Sequence, residues 1–461
     1  MVQIRKINYK INQSLLFSIA LFGGISCPIT TSASNIADTP GLTGLQSTTG
    51  DAIQTVCAGL APNNSITPTP ETGEQDLFNQ CNAMIQTSNE IQDPSGESGD
   101  TSNSLGLDNA GLGSALQNVA TEEMGTPSRI SMSTLSGQVA EINNHLFDIH
   151  KFSQGLGGSG GDDNNNSLLS NRFSVFVNGV GGFGDTGSSS RENAADFYSA
   201  GVVLGLDYRF TNNFVSGLAF GYSHLGSDFQ NNINVSGGGI DADIYNLSLF
   251  ASYDLDDFYV DGNFTYGWSD YDVTRAVVVL SNNTTSTGGA NRIATSNPNG
   301  EQYSAGLGLG YNYQYDAFNL NPYARVDYYH GKIDSYSETG AFGLNLAVDE
   351  QNFDSLQSLL GVQLSYVFSH SFGALIPQFN VGWHHEFLNK SRAINARYTA
   401  DFNNTILTAT TDNPDRDYAT LGFGFSNVFQ GGTQLFFNYQ ALLGYNNVNS
   451  NGFTAGVRIE I

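Results

Sequence analysis

Nowhere in its 461 residues does the chain hold a run of about 18 or more apolar residues, and that absence excludes a membrane-spanning helix. Basic side chains are also scarce: 17 Lys and Arg stand against 43 Asp and Glu, a formal net charge of −26. Nucleic acid and anionic headgroups both call for a basic face, so neither is expected as the main partner. Charged residues of either sign make up only 13% and apolar residues 39%, both low for a soluble globular chain. Cysteine occurs three times. The abundant residues are Gly (53), Phe (30) and Tyr (22), a mixture that suits many strands edged by aromatic girdles.

The N-terminus reads as a secretory signal. Arg5, Lys6 and Lys10 precede an apolar run over residues 15–25, and Thr31-Ser32-Ala33 offers small residues for a cut between Ala33 and Ser34. Cys27 invites comparison with a lipoprotein site, but Gly24 stands where a lipobox has Leu. After cleavage Cys57 and Cys81 remain in an oxidising compartment, where one disulfide is expected. In the chain-entropy picture a loop of that size is stabilised by about 3 kcal/mol.

Residues 34–129 are polar, with Pro-rich and Ser/Gly-rich stretches. Ala52, Val56 and Leu60, then Leu77, Met84 and Ile85, fall near helical spacing. That spacing leaves two readings, a disulfide-tied helical pair and a disordered linker. Over residues 130–153 the pattern is clearer. Met132, Leu135, Val139, Ile142, Leu146 and Ile149 step by three and four, which predicts one helix with a narrow apolar stripe. A Gly/Asp/Asn-rich linker, residues 154–170, follows. Its Gly157-Gly158-Ser159-Gly160-Gly161-Asp162 is a single copy, where a calcium-binding nonapeptide would repeat.

From residue 171 to the end the period becomes two. Tyr198, Ala200, Val202, Leu204, Leu206, Tyr208 and Phe210 share one face, with Ser199, Gly201, Gly205, Asp207 and Arg209 on the other. Alternation alone also fits a soluble sandwich. Connection lengths separate the two. About twelve such segments start near Phe173, Tyr198, Phe214, Ile240, Tyr259, Tyr303, Tyr323, Leu356, Leu375, Tyr418, Leu435 and Phe453. Short turns such as Thr211-Asn212-Asn213, Asp256-Asp257 and Gly431-Gly432 alternate with long connections such as 277–300 and 389–416. Strict short–long alternation is the pattern of an even-stranded membrane barrel.

Several motifs, in order, resemble the autotransporter β-domain family, the type V secretion translocators. These are Phe176-Val177-Asn178-Gly179-Val180-Gly181-Gly182-Phe183-Gly184-Asp185, Leu204-Gly205-Leu206-Asp207-Tyr208-Arg209, Gly217-Leu218-Ala219-Phe220-Gly221-Tyr222, Pro322-Tyr323-Ala324-Arg325, Pro377 with Trp383, and Gly456-Val457-Arg458-Ile459-Glu460. The resemblance implies an all-β fold: a twelve-stranded antiparallel transmembrane β-barrel in the outer membrane of a Gram-negative bacterium. Its lumen would hold the preceding α-helix, and a short N-terminal passenger, small and helical, would be translocated or displayed. It implies a monomer with no cofactor. The implied partners are outer-membrane lipid and lipopolysaccharide, periplasmic chaperones and the barrel-assembly machinery. Ile461 departs from the family, which usually ends in an aromatic residue. Some relatives cut the passenger free at an Asn of the pore helix, which makes Asn143 and Asn144 the candidates here.

Chemistry is sparse. Residues 34–129 contain no His and no Gly-x-Ser-x-Gly elbow, so no enzyme is expected. Gly99-Asp100-Thr101-Ser102 only approximates a lipase opening. His384 and His385 are strand neighbours that point to opposite faces and cannot share a metal. His384 and Glu386 are expected in the lumen. Arg325 with Asp327, and Arg458 with Glu460, are expected as lumen charges that pair with each other or with the helix. Gly306, Gly308 and Gly310 resemble a nucleotide loop, but read as inward small residues that leave room for the helix. The rival to a translocator is a structural or adhesive surface protein whose long loops bind host or matrix while the N-terminal segment only plugs.

Overall fold

A computed structural model describes residues 35–61, 72–95, 99–153, 172–229 and 237–461. The signal region with the Ala33–Ser34 cut, and the linker, lie outside these. Twelve strands form the barrel: β1 (Phe173–Thr186), β2 (Ala195–Thr211), β3 (Phe214–Phe229), β4 (Gly238–Leu255), β5 (Phe258–Val279), β6 (Asn299–Tyr311), β7 (Phe318–Ile333), β8 (Gln351–Tyr366), β9 (Gly373–Glu386), β10 (Asp417–Phe429), β11 (Thr433–Leu443) and β12 (Val448–Glu460). Each pairs antiparallel with its neighbours, and β1 pairs with β12 from Ser174 opposite Glu460 to Thr186 opposite Val448. The Ile461 amide donates to the Phe173 carbonyl at 2.7 Å, so the ladder runs to the last residue.

The barrel is apolar outside and polar inside. Outward Leu249, Phe264 and Leu307 are 53%, 48% and 69% exposed, while inward Ser248, Thr265 and Gln302 are each 0% exposed. Burial of the polar face rules out the soluble sandwich, which would hide the other one. Outward rings edge both ends: Phe210, Phe214, Tyr253 and Phe258 at the short turns, Tyr198, Tyr245, Trp268 and Trp383 toward the long connections. Just beyond the second girdle, cross-strand pairs satisfy outward polar groups, as where Asp243 accepts from Tyr222 and meets His224 at 3.1 Å. The turns are tight because their residues permit it: Asp256 and Asp316 take left-handed φ of 54°, and Gly431 and Gly432 take +97° and +83°.

The long connections are more ordered than the period-two pattern suggested. β5 runs on to Val279, and Ala290–Ser296 returns along it. Tyr336–Ser337, Leu346–Val348, Ala393–Tyr398 and Leu407–Thr410 build a separate four-stranded sheet. These pieces are short, and the pairing of Leu346–Val348 with Ala393–Tyr398 joins two separate loops, so no local periodicity marked them.

Before the barrel come α1 (Gly44–Leu60), α2 (Gly73–Gln92), α3 (Asn109–Asn118) and α4 (Thr126–Ser153). Thr43 and Gln46 cap α1 reciprocally, Thr72 caps α2, and Asp108 caps α3. Of the two readings for residues 34–129, the disordered linker is corrected: the described part is helical. Cys57 and Cys81 join α1 to α2 with Cα atoms 5.6 Å apart. The third helix was not anticipated, because its Gly and Asn lower its propensity and only Leu112, Ala115 and Leu116 hold it. The lumen helix also starts earlier than residue 130.

α1–α3 form a cap on the long-connection end. Ile53, Val56, Leu60, Leu77, Met84 and Leu116 share one apolar core with Val277, Ala294, Leu344, Leu346, Ile394 and Leu407 from the loops. Two arginines clamp this interface. Arg275, almost fully buried, donates to both Glu338 carboxylate oxygens (2.8 and 2.6 Å), to the Asn118 carbonyl (3.2 Å) and to the Leu344 carbonyl (3.0 Å). Arg292 donates to both Asp76 oxygens and to the Ala341 carbonyl, while Asp76 also accepts from the Gly343 amide at 3.0 Å.

Replacing Arg275→Met strands Glu338 as an unpaired buried charge, which costs about 3–5 kcal/mol. The cap should then become sensitive to proteinase K while the barrel keeps its heat-modifiable migration, and the double change Arg275→Met, Glu338→Leu should recover protection. Removing the disulfide by Cys57→Ser with Cys81→Ser should weaken cap protection by about 3 kcal/mol and leave barrel migration unchanged.

Candidate functional site: the occupied lumen

α4 runs through the barrel with its N-terminal end at the loops and its C-terminal end at the turns. At the top Arg129 donates to Glu192 at 2.7 Å, in the connection between β1 and β2. Near the bottom His150 Nδ1 meets Asp254 at 2.8 Å, two residues before the Asp256-Asp257 turn.

The apolar stripe divides between two patches on the inner wall. Met132, Leu135 and Val139 pack with Tyr329, and Ile142, Leu146 and Ile149 with Phe176, Val203, Val215, Ala219 and Phe250. The polar faces carry the specificity. Gln138 Nε2 donates to Ser248 at 3.3 Å, and Glu141 accepts from Thr454 and, at 3.5 Å, from Asn178. His145 Nε2 lies 3.0 Å from Asp207 with its ring stacked 3.9 Å from Phe176. Asp148 accepts from Gln434 at 3.2 Å. His150 is gripped twice, by Asp254 and by Asp261 at 3.0 Å, and stacks 3.8 Å from Tyr259. The apolar stripe alone does not single out these polar residues. The signal available was their own spacing, since 138, 141, 145 and 148 step by three and four beside the apolar stripe.

The lumen charges fall as follows. Arg325 pairs with Asp327 at 3.0 Å on the same strand. Arg458 bridges Glu460 at 2.8 Å and Asp207 at 3.5 Å, so one carboxylate serves both the seam strand and the plug. His384 faces inward, bonded to Thr420 at 3.1 Å and stacked 4.7 Å from Tyr418. Glu386 also faces inward and accepts from the Leu356 and Leu388 amides at 3.2 and 2.7 Å. His385 pairs on the opposite face with Asp417 at 2.8 Å. The glycine row needs correction: a Cβ on Gly306 would meet Asp327 and Arg325, and one on Gly310 would meet the Tyr259 ring. These glycines make room for wall side chains. The glycine that admits the helix is Gly221, where a Cβ would lie 2.3 Å from Gln138.

Ser174 and His145 approach the same Asp207 oxygen, so the imidazole is not placed to take the Ser174 proton. Among the described residues no cluster of three or more His, Cys, Asp or Glu could hold a metal ion. Asn143 is engaged through its side-chain oxygen, which accepts from Asn263 at 3.1 Å, and its neighbour Asn144 is half-buried.

Residues 175–440 match the family model described as autotransporter beta-domain. The chain is 28% identical over 200 residues to the esterase EstA of Pseudomonas aeruginosa, covering 42% of this chain and 29% of that protein. It is 24% identical over 273 residues to outer membrane protein A of Rickettsia conorii, covering 58% of this chain and 13% of that protein. The chain therefore spans less than a third of these curated relatives. Among solved structures it resembles the translocator domain of the autotransporter NalP from Neisseria meningitidis, at 16% identity and a TM-score of 0.49, covering 71% of this chain and 98% of that one. The family match spans more than half of the chain and falls on a closed twelve-stranded barrel with a helix in its lumen; the chain belongs to the autotransporter β-domain family and is an outer-membrane barrel of the Gram-negative envelope.

Proposed function

We propose that this barrel exports its own N-terminal segment and keeps it, uncut and non-catalytic, as a folded head on the cell surface. The polarity of α4 carries the reading. With Arg129 at the loops and His150 near the turns, the chain crosses the lumen once, and α1–α3 belong on the side of the extracellular loops. The shared apolar core supports retention, because releasing the segment would expose Val277, Leu344, Leu346 and Ile394 to water. The absence of His from residues 34–129 supports a head without hydrolase chemistry, whatever the esterase relative's longer chain does. The Asn143 contact with Asn263 and the many anchors on α4 support an intact helix.

An adhesive role for the same surface is favoured by exposed Phe342, Phe402 and Ile406 on the long loops, with Phe342 held at a left-handed φ of 56°. Changing all three to Ala should abolish attachment to matrix-coated plates if the loops are the contact, with surface level unchanged.

An epitope tag inserted at exposed Gly41 should bind antibody on intact cells. Detection only after the outer membrane is permeabilised would contradict display. Mass spectrometry of the membrane fraction should find one chain, and a fragment starting after Asn143 or Asn144 would show cleavage instead. In planar bilayers the intact protein should conduct weakly. Deleting residues 126–153 should raise conductance several-fold, and an unchanged value would sink the plug assignment.

A further inference from the structure

Between α3 and α4 the chain makes one tight turn, Glu122–Gly125, which is the covalent hinge between cap and plug. Side chains from several elements seat this hinge. Arg275 of β5 holds the Asn118 carbonyl, and the Tyr398 hydroxyl donates to the Val119 carbonyl at 3.1 Å. The Tyr336 hydroxyl lies 3.1 Å from the Met124 sulfur, and Gln351 Nε2 donates to the Met124 carbonyl at 2.9 Å. Gly125 is wedged so closely that a Cβ would sit 2.8 Å from Ile394.

Inside this nest lies the side chain of Glu123, 8% exposed. Asn193 offers its Oε1 a long contact of 3.4 Å, and Oε2 has no hydrogen-bond partner. Arg275, the cation whose charge favours its ionised form, is already saturated by Glu338 and two carbonyls. An ionised carboxylate in that position would be buried with half of its acceptors unmet, whereas a neutral acid loses far less.

We propose that Glu123 is a proton-operated latch: protonated, it lets the hinge stay seated and the cap stay docked on the loops; ionised, it draws the hinge toward water and loosens the cap. This depends on cap docking alone and not on which side of the membrane the cap occupies. Burial is the main cause that pushes the carboxyl up to about 7; Arg275 and Asn193 oppose the shift and Glu338 adds to it. The sign follows. In the loosened state the group returns toward its ordinary 4.5, so protonation favours docking. The docking constant is greatest below 4.5, falls by up to about tenfold per pH unit as pH rises toward 7, and levels off above it.

The other charged and titratable groups around the hinge are partnered or held neutral. Arg275 and Glu338 form a closed ion pair, Arg129 of α4 pairs with Glu192 beside Asn193, Tyr336 and Tyr398 are phenols held neutral by burial, and Asn193 is neutral. Residues 34–144 contain no histidine.

The test uses the purified full chain in detergent micelles. Proteinase K cutting of the cap is followed from pH 5 to 8.5 and normalised at each pH to cutting of an unfolded substrate. Wild type should be cut progressively faster up to about pH 7 and at a constant rate beyond it. Glu123→Gln, which carries no charge, should be flat and protected throughout. Asn193→Ala, which removes a contact favouring the ionised form, should shift the upper break to higher pH and covers the case in which the Gln variant fails to dock. A flat wild-type profile overturns the latch, as does a fall retained in Glu123→Gln or an unmoved break in Asn193→Ala.

Discussion

A strand that crosses hydrocarbon has no water with which to pair its amide and carbonyl groups, so each must find a partner on a neighbouring strand. An open sheet always leaves two edges unsatisfied. The pairing of β1 with β12 removes both, and it is complete from Ser174 to Thr186 and then extended by the Ile461 amide. Much else follows from closing that ladder. Once the sheet is a cylinder, the apolar face has only lipid to meet, and the polar face is turned toward a narrow interior.

That interior creates the next demand. Ser, Asn, Gln and charged side chains in a closed lumen need partners or water, and here a helix supplies many of the partners. Its apolar stripe alone would not choose a register, because Leu135 or Ile142 can sit against any of several wall residues. The hydrogen-bonded groups choose it. His145 must reach Asp207 while His150 reaches Asp254 and Asp261, and Glu141 must meet Thr454 and Asn178. Each is a buried polar group whose partner would be stranded by a shift of one turn. Asp207 ties this arrangement to the seam, since Arg458 of β12 approaches the same carboxylate.

The barrel was legible in the sequence because its rule is local. Period-two alternation and the lengths of neighbouring connections are both visible within about thirty residues, and the twelve expected starts fall within five residues of the observed ones. The helix was legible for the same reason, although its first turn, Thr126 to Arg129, was missed because no apolar periodicity reaches it. What was not legible is long-range. The loop sheet joins Leu346–Val348 to Ala393–Tyr398 across an intervening pair of barrel strands, and each piece is too short to show a period of its own. The clamp residues likewise gave no warning, because Arg275 lies in an otherwise ordinary strand and acquires meaning only when Glu338 and the end of α3 arrive beside it.

The cap illustrates why such long-range order forms at all. Residues 34–125 contain no Lys, Arg or His, so the segment can neutralise none of its own acids, and its three helices are too few to bury Leu60, Leu77 and Leu116 among themselves. The loops have the complementary deficit: apolar Leu344, Leu346 and Ile394 with nothing to cover them, and Arg275 and Arg292 in need of carboxylates and carbonyls. Each half completes the other, apolar surface against apolar surface and Arg292 against Asp76. Among the described residues the ion pair of this segment, Asp76 with Arg292, is made to the loops, so its docking and their covering go together. The short hinge Glu122–Gly125 then joins this shared core directly to the plug.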